Sequence, residues 1–398
     1  MGYVLKIARS LSNPIIAVIL ISVFSDGTNA LQMTESENKL GLVLPAGGAR
    51  AAYQVGVLKA LSEQLPAFTP KIFSGISAGS INAAFLAQGE PTPNACSHLY
   101  RLWENLQFEQ VMRTNFSSFF QVFGRWAYDL FLSKITRRLK LNSLFDASPL
   151  GQTLLAHIRF SRISRSIENR TILGLAVTAT NYHTGMCTIF YETSDPIIPW
   201  RRENRHSVHS FIRARHIMAS CSIPLLFEPV PIGEAFYGDG SLRFNYPFSP
   251  CIHMGATHIL GIGIRSPVQD SKFTESAPQH LSMGFIAGAV LNSIFLDSLE
   301  ADYEQLCRLN AEAGVGSLRH VKASLVRPSQ DLGVLAKDYL AEVPFHLRQL
   351  LRSVANPEEM GDLLSYLMFS PGYIKALLEL GAKDASGQVD QIAQFLKS

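Results

Sequence analysis

Apolar residues in this chain fall into short blocks that stop at glycine or proline. Gly41 to Leu44 is one such run, ending at Pro45-Ala46-Gly47-Gly48, and it reads as a buried strand entering a tight loop. Past the loop the period changes. Tyr53, Val57, Leu58, Leu61 and Leu65 recur at helical spacing and predict a helix over about Ala49 to Leu65, closed by Pro66 and Pro70. Ile72-Phe73-Ser74-Gly75 predicts a second strand and Ile76-Ser77-Ala78 a turn. The small residues through Ala87 then predict a second helix, ended by Gly89 and Pro91. Strand, helix, strand, helix is the order of a parallel sheet covered by helices.

Residues 98–145 break that rhythm. They hold Trp103, Phe108, Phe116, Phe119, Phe120, Phe123, Trp126, Tyr128 and Phe131, with Arg125, Lys134, Arg137, Arg138 and Lys140 among or just beyond them. Helices inserted between core strands are expected. The aromatics at 116–140 are either core residues or an interfacial lid with basic side chains beside it. Ile172 to Thr180 returns to strand character, and Met186 to Tyr191 can pair beside it. Arg213 to Ser220 reads as a helix. Pro224, Pro229 and Pro231 mark an irregular approach to Phe236-Tyr237-Gly238-Asp239-Gly240-Ser241. His258 to Ile264 is the last core strand in the pattern, and residues beyond about 266 read as mostly helical. The arginines at 201, 202, 205, 213 and 215 read as a solvated face.

Composition narrows the class. The chain has 398 residues, 47% hydrophobic and 17% charged, which excludes a disordered or collagen-like protein and leaves ample core. Thirty-five Lys+Arg against 32 Asp+Glu give a formal charge of +3, a balance that demands no nucleic-acid partner. Cys96, Cys187, Cys221, Cys251 and Cys307 form no C-x-x-C pair, so a zinc ribbon or dithiol redox site is not written here. Buried free thiols are the simpler reading.

At the N-terminus, Lys6 and Arg9 precede the apolar run Ile15 to Phe24, and Thr28-x-Ala30 follows it. That is the order of a secretory signal peptide cut after Ala30. The run is too short to span a bilayer as a helix, so a retained segment would lie at the interface.

Three segments carry chemistry. Ser77 stands between Gly75 and Gly79 after a strand and before a helix, the context a serine nucleophile needs to project from a sharp turn. The Gly47-Gly48-Ala49-Arg50 loop opens a helix and offers backbone N–H groups to an anion or oxyanion. It matches neither nucleotide-phosphate pattern. If its N–H must approach substrate, Gly48→Val should cost turnover more than stability. Asp239, between Gly238 and Gly240, is either an ordinary Asp-Gly turn or a general base for the serine.

Taken in order, these segments and their flanks resemble the patatin-like phospholipase family. The matching text is "GLVLPAGGARAAYQVGVLKAL", "FSGISAGSINAAFLA", "MASCSIPLLFEPV" and "FYGDGSLRFNYP", over about residues 41–255, with Phe369 to Ala385 a looser match to a closing segment of bacterial members. The resemblance implies an α/β fold: a central, mostly parallel sheet flanked by helices, with a helical C-terminal extension. It divides the chain into an N-terminal segment (1–30), the family domain (41–255) and a final strand with helices (256–398). It also implies a Ser–Asp dyad without histidine. Ser77 would be the nucleophile and Asp239 the base, with Gly47, Gly48 and Ala49 at the oxyanion hole. Arg50 would hold that loop, and Gly75 and Gly79 would form the elbow. Ala46 stands where the family usually has glycine, and Ser241 where a second glycine follows Asp-Gly.

The implied activity is serine hydrolysis of acyl esters of phospholipid or lysophospholipid at a membrane surface, without metal or organic cofactor. Two alternatives remain. One is a Ser-His-Asp hydrolase, since His253, His258, His280, His320 and His346 all follow Asp239. The other is a non-catalytic lipid-binding or scaffold protein of the same fold.

Overall fold

The computed structural model describes residues 38–113, 143, 145–267, 283–295, 297–312, 319–344, 348–349 and 361–398. The N-terminal segment and the aromatic-basic stretch at 116–140 lie outside the described residues. Leu40–Leu44 (β1) is followed by a short 3-10 turn at Gly48–Ala51 and the helix Ala52–Gln64 (α1). Ile72–Ile76 (β2) leads into Ala78–Leu86 (α2). Strands Gly174–Asn181 (β3), Cys187–Thr193 (β4), Arg205–His209 (β5), Val230–Ile232 (β6), Ala235–Asp239 (β7), His258–Ile262 (β8) and Lys322–Val326 (β9) complete the described sheet.

The path runs β5-β4-β3-β2-β1-β8-β9, with β7 pairing β3 and β6. Pairs within β3-β2-β1-β8-β9 are parallel, as is β4–β5, whereas β3–β4, β3–β7 and β6–β7 are antiparallel. The sheet is therefore mostly parallel, with its antiparallel pairs around β7, which ends in Asp239.

Both faces are covered, and β1 to β3 are buried along their whole length. On one face Gly75 meets α2, and α2 in turn touches α1 and Pro93–Glu104 (α3). On the other, Gly41 abuts Cys251 of Ser249–His253 (α4), and Gly261 approaches Leu299 of Asp297–Glu312 (α5). Leu42, Leu44, Leu58, Leu61 and Phe73 are fully buried, each contributing about 1.5–3 kcal/mol of transfer free energy. Cys96, Cys187, Cys221 and Cys251 are buried free thiols and Cys307 is an exposed one.

Three strands are not legible in the pattern: β6 contains Pro231 and sits in the stretch that reads as irregular, and β5 and β9 lie at the ends of the sheet. β5 carries Arg205, His206 and His209 at one end of the strand order, where a half-exposed strand shows no apolar run. β9 lies at the other end, in a region whose pattern reads as helical, and its first four residues are only half-buried.

Residues 39–398 form one compact unit. The long helix Pro371–Ser386 (α6) packs on α1 at very short range. A Cβ on Gly56 would lie 2.0 Å from Leu378 O, and one on Gly381 would lie 2.2 Å from Tyr53 O. Tyr53 also donates its hydroxyl to Asp384 across this contact, at 3.1 Å. Gly381→Val should therefore destabilise the protein by about 2–4 kcal/mol in urea unfolding, because neither backbone can yield without moving a helix. Gly89→Val, at a glycine with open space around it, should change stability little.

Candidate active site

β2 ends at Ile76 and α2 begins at Ala78, so Ser77 alone makes the turn. Its backbone sits at φ 50°, ψ −131°, a left-handed conformation that costs a serine about 1–3 kcal/mol. The surroundings hold it there. A Cβ on Gly79 would lie 2.1 Å from Leu44 O, and one on Gly75 would lie 2.5 Å from Ser80 Cα, so both flanking glycines are required by close approach. Ser77 N–H donates to Ser220 Oγ at 2.8 Å, and Ser220 donates onward to Thr178 O of β3 at 2.7 Å. Ser80 Oγ donates to Ser77 O at 2.6 Å. Ser77 is 2% exposed.

Asp239 is brought to this turn by the antiparallel pairing of β7 with β3, in register with Ala179. Its backbone is fixed on both sides: Thr180 Oγ1 donates to its carbonyl at 2.8 Å, and its N–H donates to Ser222 O at 2.8 Å. The carboxylate is fully buried. Oδ1 accepts from Ser241 N at 2.9 Å and from Ser241 Oγ at 2.8 Å. Oδ2 has no hydrogen bond of ordinary geometry, yet the Ser77 hydroxyl is near enough to act on the carboxyl as a donor. Burial dominates the carboxyl and raises its pKa to about 6, against the lowering pull of Ser77 and Ser241.

The glycine loop has its own anchor. Gly48 adopts φ 53°, and a Cβ there would lie 2.2 Å from Tyr366 O. Arg50 is fully buried beneath it. Nε donates to Ser365 Oγ at 2.8 Å, one terminal nitrogen to Tyr366 Oη at 3.3 Å and the other to Asp362 Oδ1 at 2.9 Å. The guanidinium also lies 4.2 Å from the Tyr366 ring centroid. Burial alone would lower its pKa; Tyr366, Tyr373 and Asp362 more than offset that, and the cation is held above its ordinary value. All three hydrogen-bond partners lie on or beside Gly361–Leu367 (α7). Arg50 N–H is used by Gly47 O at 3.0 Å, whereas Gly48 and Ala49 donate no backbone hydrogen bond among the described residues. Gly47 N–H likewise donates no hydrogen bond among the described residues, so all three N–H groups of the loop are open to an acceptor.

The structure thus brings Ser77, Asp239, Gly75 and Gly79 to one turn. It sets Gly47 to Arg50 at the end of β1, where Gly79 touches Leu44 and Pro45. It adds residues the motifs did not single out, Ser220 and the Arg50 partners Asp362, Ser365 and Tyr366, and gives Ser241, noted only as a departure from the family pattern, two bonds to Asp239. Ser220 lies inside a family-like block, so its segment was visible but its role was not. The Arg50 partners had no signal, since they are more than 300 positions away.

Among the described residues no histidine hydrogen-bonds Ser77 or Asp239. His253 stacks on Trp200, with centroids 4.1 Å apart, and His258 bonds Thr257 and packs against Phe395. His280 and His346 lie outside the described residues. The arginine cluster divides along β5. Arg205 is at the end of the sheet that holds Asp239, with its guanidinium 3.8 Å from the Tyr246 ring centroid rather than in open solvent. Arg213 lies beyond the opposite end of the strand. A raised carboxyl pKa does not by itself mark the site: buried Asp302 is pushed to about 7, but it accepts from Phe248 N and is structural.

The family profile for patatin-like phospholipase matches residues 42–252, just over half of the chain. The chain belongs to the patatin-like phospholipase family. A curated relative, the uncharacterized protein R571 of Acanthamoeba polyphaga mimivirus, is 23% identical over 222 residues. That match covers 55% of this chain and 63% of the relative, so the chain spans less than two thirds of that protein's length. Among solved structures, VipD from Legionella pneumophila aligns with a TM-score of 0.34 at 14% identity, covering 89% of this chain and 67% of VipD. Human GIVD cytosolic phospholipase A2, solved with methyl gamma-linolenyl fluorophosphonate, aligns with a TM-score of 0.41 at 15% identity, covering 90% and 58%.

Two effects of pH follow from the buried carboxyl. As a base, Asp239 must be ionised, so kcat/KM should rise with pH through about 6. Ser241→Ala removes a donor to the ionised form and should move that rise to higher pH; an unmoved rise would show that the Ser241 bond does not act on the base. Stability runs the other way. The folded pKa lies above the unfolded value, so stability is fullest below about pH 4 and falls as pH rises through about 6. Asp239→Asn should therefore be about 3 kcal/mol more stable than the parent at pH 8, and equal to it near pH 4, in denaturant titrations.

Proposed function

We infer that this protein hydrolyses carboxylic ester bonds of acyl lipids, phospholipid or lysophospholipid, through an acyl-enzyme on Ser77. The observation that carries the reading is a serine held in a strained turn against a fully buried carboxylate with one uncommitted oxygen. Membership of the patatin-like phospholipase family supplies the substrate class.

In this reading Asp239 Oδ2 takes the Ser77 proton as Oγ attacks the ester carbonyl. N–H groups of the Gly47-Gly48-Ala49 loop meet the oxyanion, each such donor contributing about 3 kcal/mol to lowering the barrier. Collapse of the tetrahedral intermediate forms the acyl-enzyme and expels the alcohol, which takes the proton back from Asp239. Water then attacks with Asp239 again as base, and the fatty acid leaves with Ser77 restored. Ser241 holds Oδ1 away from this traffic, so a single oxygen serves both half-reactions. Ser220 orients the nucleophile through its backbone.

Ser77→Ala and Asp239→Asn should each abolish hydrolysis of a phospholipid panel, and a fluorophosphonate probe should label the parent but not Ser77→Ala. Turnover by either variant would remove the dyad. Gly48→Val is no clean test of the oxyanion hole. Its side chain would strike Tyr366 O and strain φ, so turnover and melting temperature should fall together, contrary to the expectation from sequence.

The N-terminal pattern adds export as part of the proposal, with a mature chain starting near Leu31. N-terminal sequencing of the protein from its own cell should give that start; an intact Met1 or Gly2 on a cytoplasmic species would overturn it.

A further inference from the structure

A chain of side-chain amides runs through the interior between the glycine loop and the elbow. Trp103 of α3 donates Nε1 to Asn82 Oδ1 at 2.8 Å. Asn82 Nδ2 donates to Gln54 Oε1 at 3.1 Å and to Ala51 O at 3.2 Å. Gln54 Nε2 donates to Pro45 O at 2.9 Å. Gln54 and Asn82 are fully buried and Trp103 nearly so, which puts these bonds out of reach of solvent.

The direction of the chain is fixed from both ends. An indole N–H can only donate and a carbonyl can only accept. Asn82 must therefore turn Oδ1 toward Trp103 and Nδ2 toward Gln54, and Gln54 must offer Nε2 to Pro45. An amide at each position accepts on one side and donates on the other, whereas a carboxylate would set one acceptor against another. A buried amide left half-paired costs stability; a fully paired network stiffens whatever it joins.

What it joins is the loop and the nucleophile. Pro45 and Ala51 stand immediately outside Ala46 to Arg50, one at each end. Gln54 is on α1, the helix that leaves the loop, and Asn82 is on α2, the helix that begins at Ser77. Both ends of the loop are thereby tied through Asn82 to the nucleophile's own helix. Arg50 ties the loop to α7, and the amides tie it to the elbow. Attack by Ser77 needs the carbonyl carbon at Oγ and its oxygen at the loop N–H groups at the same time. A misplacement of about 1 Å can cost on the order of 10²-fold in rate. We propose that Gln54 and Asn82 are positioning residues, a buried amide clamp that sets the spacing between the oxyanion loop and Ser77. The proposal rests on the reading of Ser77 as the nucleophile.

Two variants separate positioning from packing. Gln54→Met keeps the length of the side chain and releases Pro45 O. Trp103→Phe cuts the network at its far end and leaves the bonds to Pro45 and Ala51 in place. Each leaves a buried polar group unpaired, so both should melt a few degrees below the parent. Turnover should divide them. In Gln54→Met, kcat on p-nitrophenyl butyrate should fall about tenfold with KM unchanged, against less than about twofold in Trp103→Phe. Equal kcat in the two variants would overturn the proposal.

Hydrogen exchange reads the same tie without substrate. In the parent, the Arg50 amide, bonded to Gly47 O, and the Ser80 amide, bonded to Ser77 O, should be equally protected, because loop and elbow open as one unit. In Gln54→Met, protection over Gly47 to Arg50 should fall about tenfold while Ser80 keeps its own. Unchanged loop protection in that variant, or a loop that opens before the elbow in the parent, would sink the clamp. The comparison within the parent decides even if Gln54→Met does not fold. A parent that hydrolyses no ester yet gives the expected exchange pattern would remove Ser77 as nucleophile and leave the clamp standing.

Discussion

The turn at Ser77 is the constraint around which the rest of the site is arranged. A serine at positive φ persists only where its neighbours leave no relaxed alternative. Here the neighbours come from four separate stretches of chain. Gly79 lets α2 start against the last carbonyls of β1, and Gly75 lets the same helix lie on β2. Ser80 bonds the Ser77 carbonyl from within α2, and Ser220 bonds its N–H from the helix Ala214–Cys221. Because Ser220 also donates to Thr178, the turn is tied to β3, and β3 is the strand that positions Asp239 through β7. The strain at one residue and the placement of its partner are thus fixed by a single strand.

A second constraint reaches across the chain. Arg50 is a cation with no access to water, and an unpaired charge there would be prohibitive. Its partners are Asp362, Ser365 and Tyr366, so the loop after β1 is anchored on a C-terminal helix. The same helix fixes Gly48 against Tyr366 O, and α6 lies on α1 at glycine-to-carbonyl range. Residues beyond the family match are therefore part of the site's architecture, although none of them is proposed to touch substrate.

How much of this was legible in the sequence follows from where each determinant lies. β1, β2, β3 and β8 are buried on both faces, so they read as apolar runs. Ser77, Asp239 and the glycine loop announce themselves because close backbone approach demands glycine at fixed short offsets. β5 and β9 are only partly buried, and their patterns were lost among charged and small residues. Ser220 and the Arg50 partners are ordinary residue types whose roles arise only from tertiary proximity, while Ser241 bonds Asp239 from only two positions away. At Gly48 the sequence suggests access to its N–H, while the structure shows that the lack of a side chain serves packing on Tyr366.

Burial of the Asp239 carboxyl, which in the proposed mechanism suits it to act as a base, also opposes the fold. Removing the carboxyl from water raises its proton affinity toward the range useful near neutral pH, and the same desolvation is a penalty whenever the group is ionised. Ser241 moderates both consequences. Its two hydrogen bonds favour the charged form, limiting how far the pKa rises and how much stability is lost. They also occupy only Oδ1, so Oδ2 remains without a firm partner. A glycine at 241, as the family usually has, would keep the backbone donor and lose the hydroxyl. The carboxyl would then be a stronger base, ionised over a narrower range of pH. In the proposed mechanism the serine therefore lets Asp239 be ionised at lower pH, at the cost of some basicity in the carboxyl.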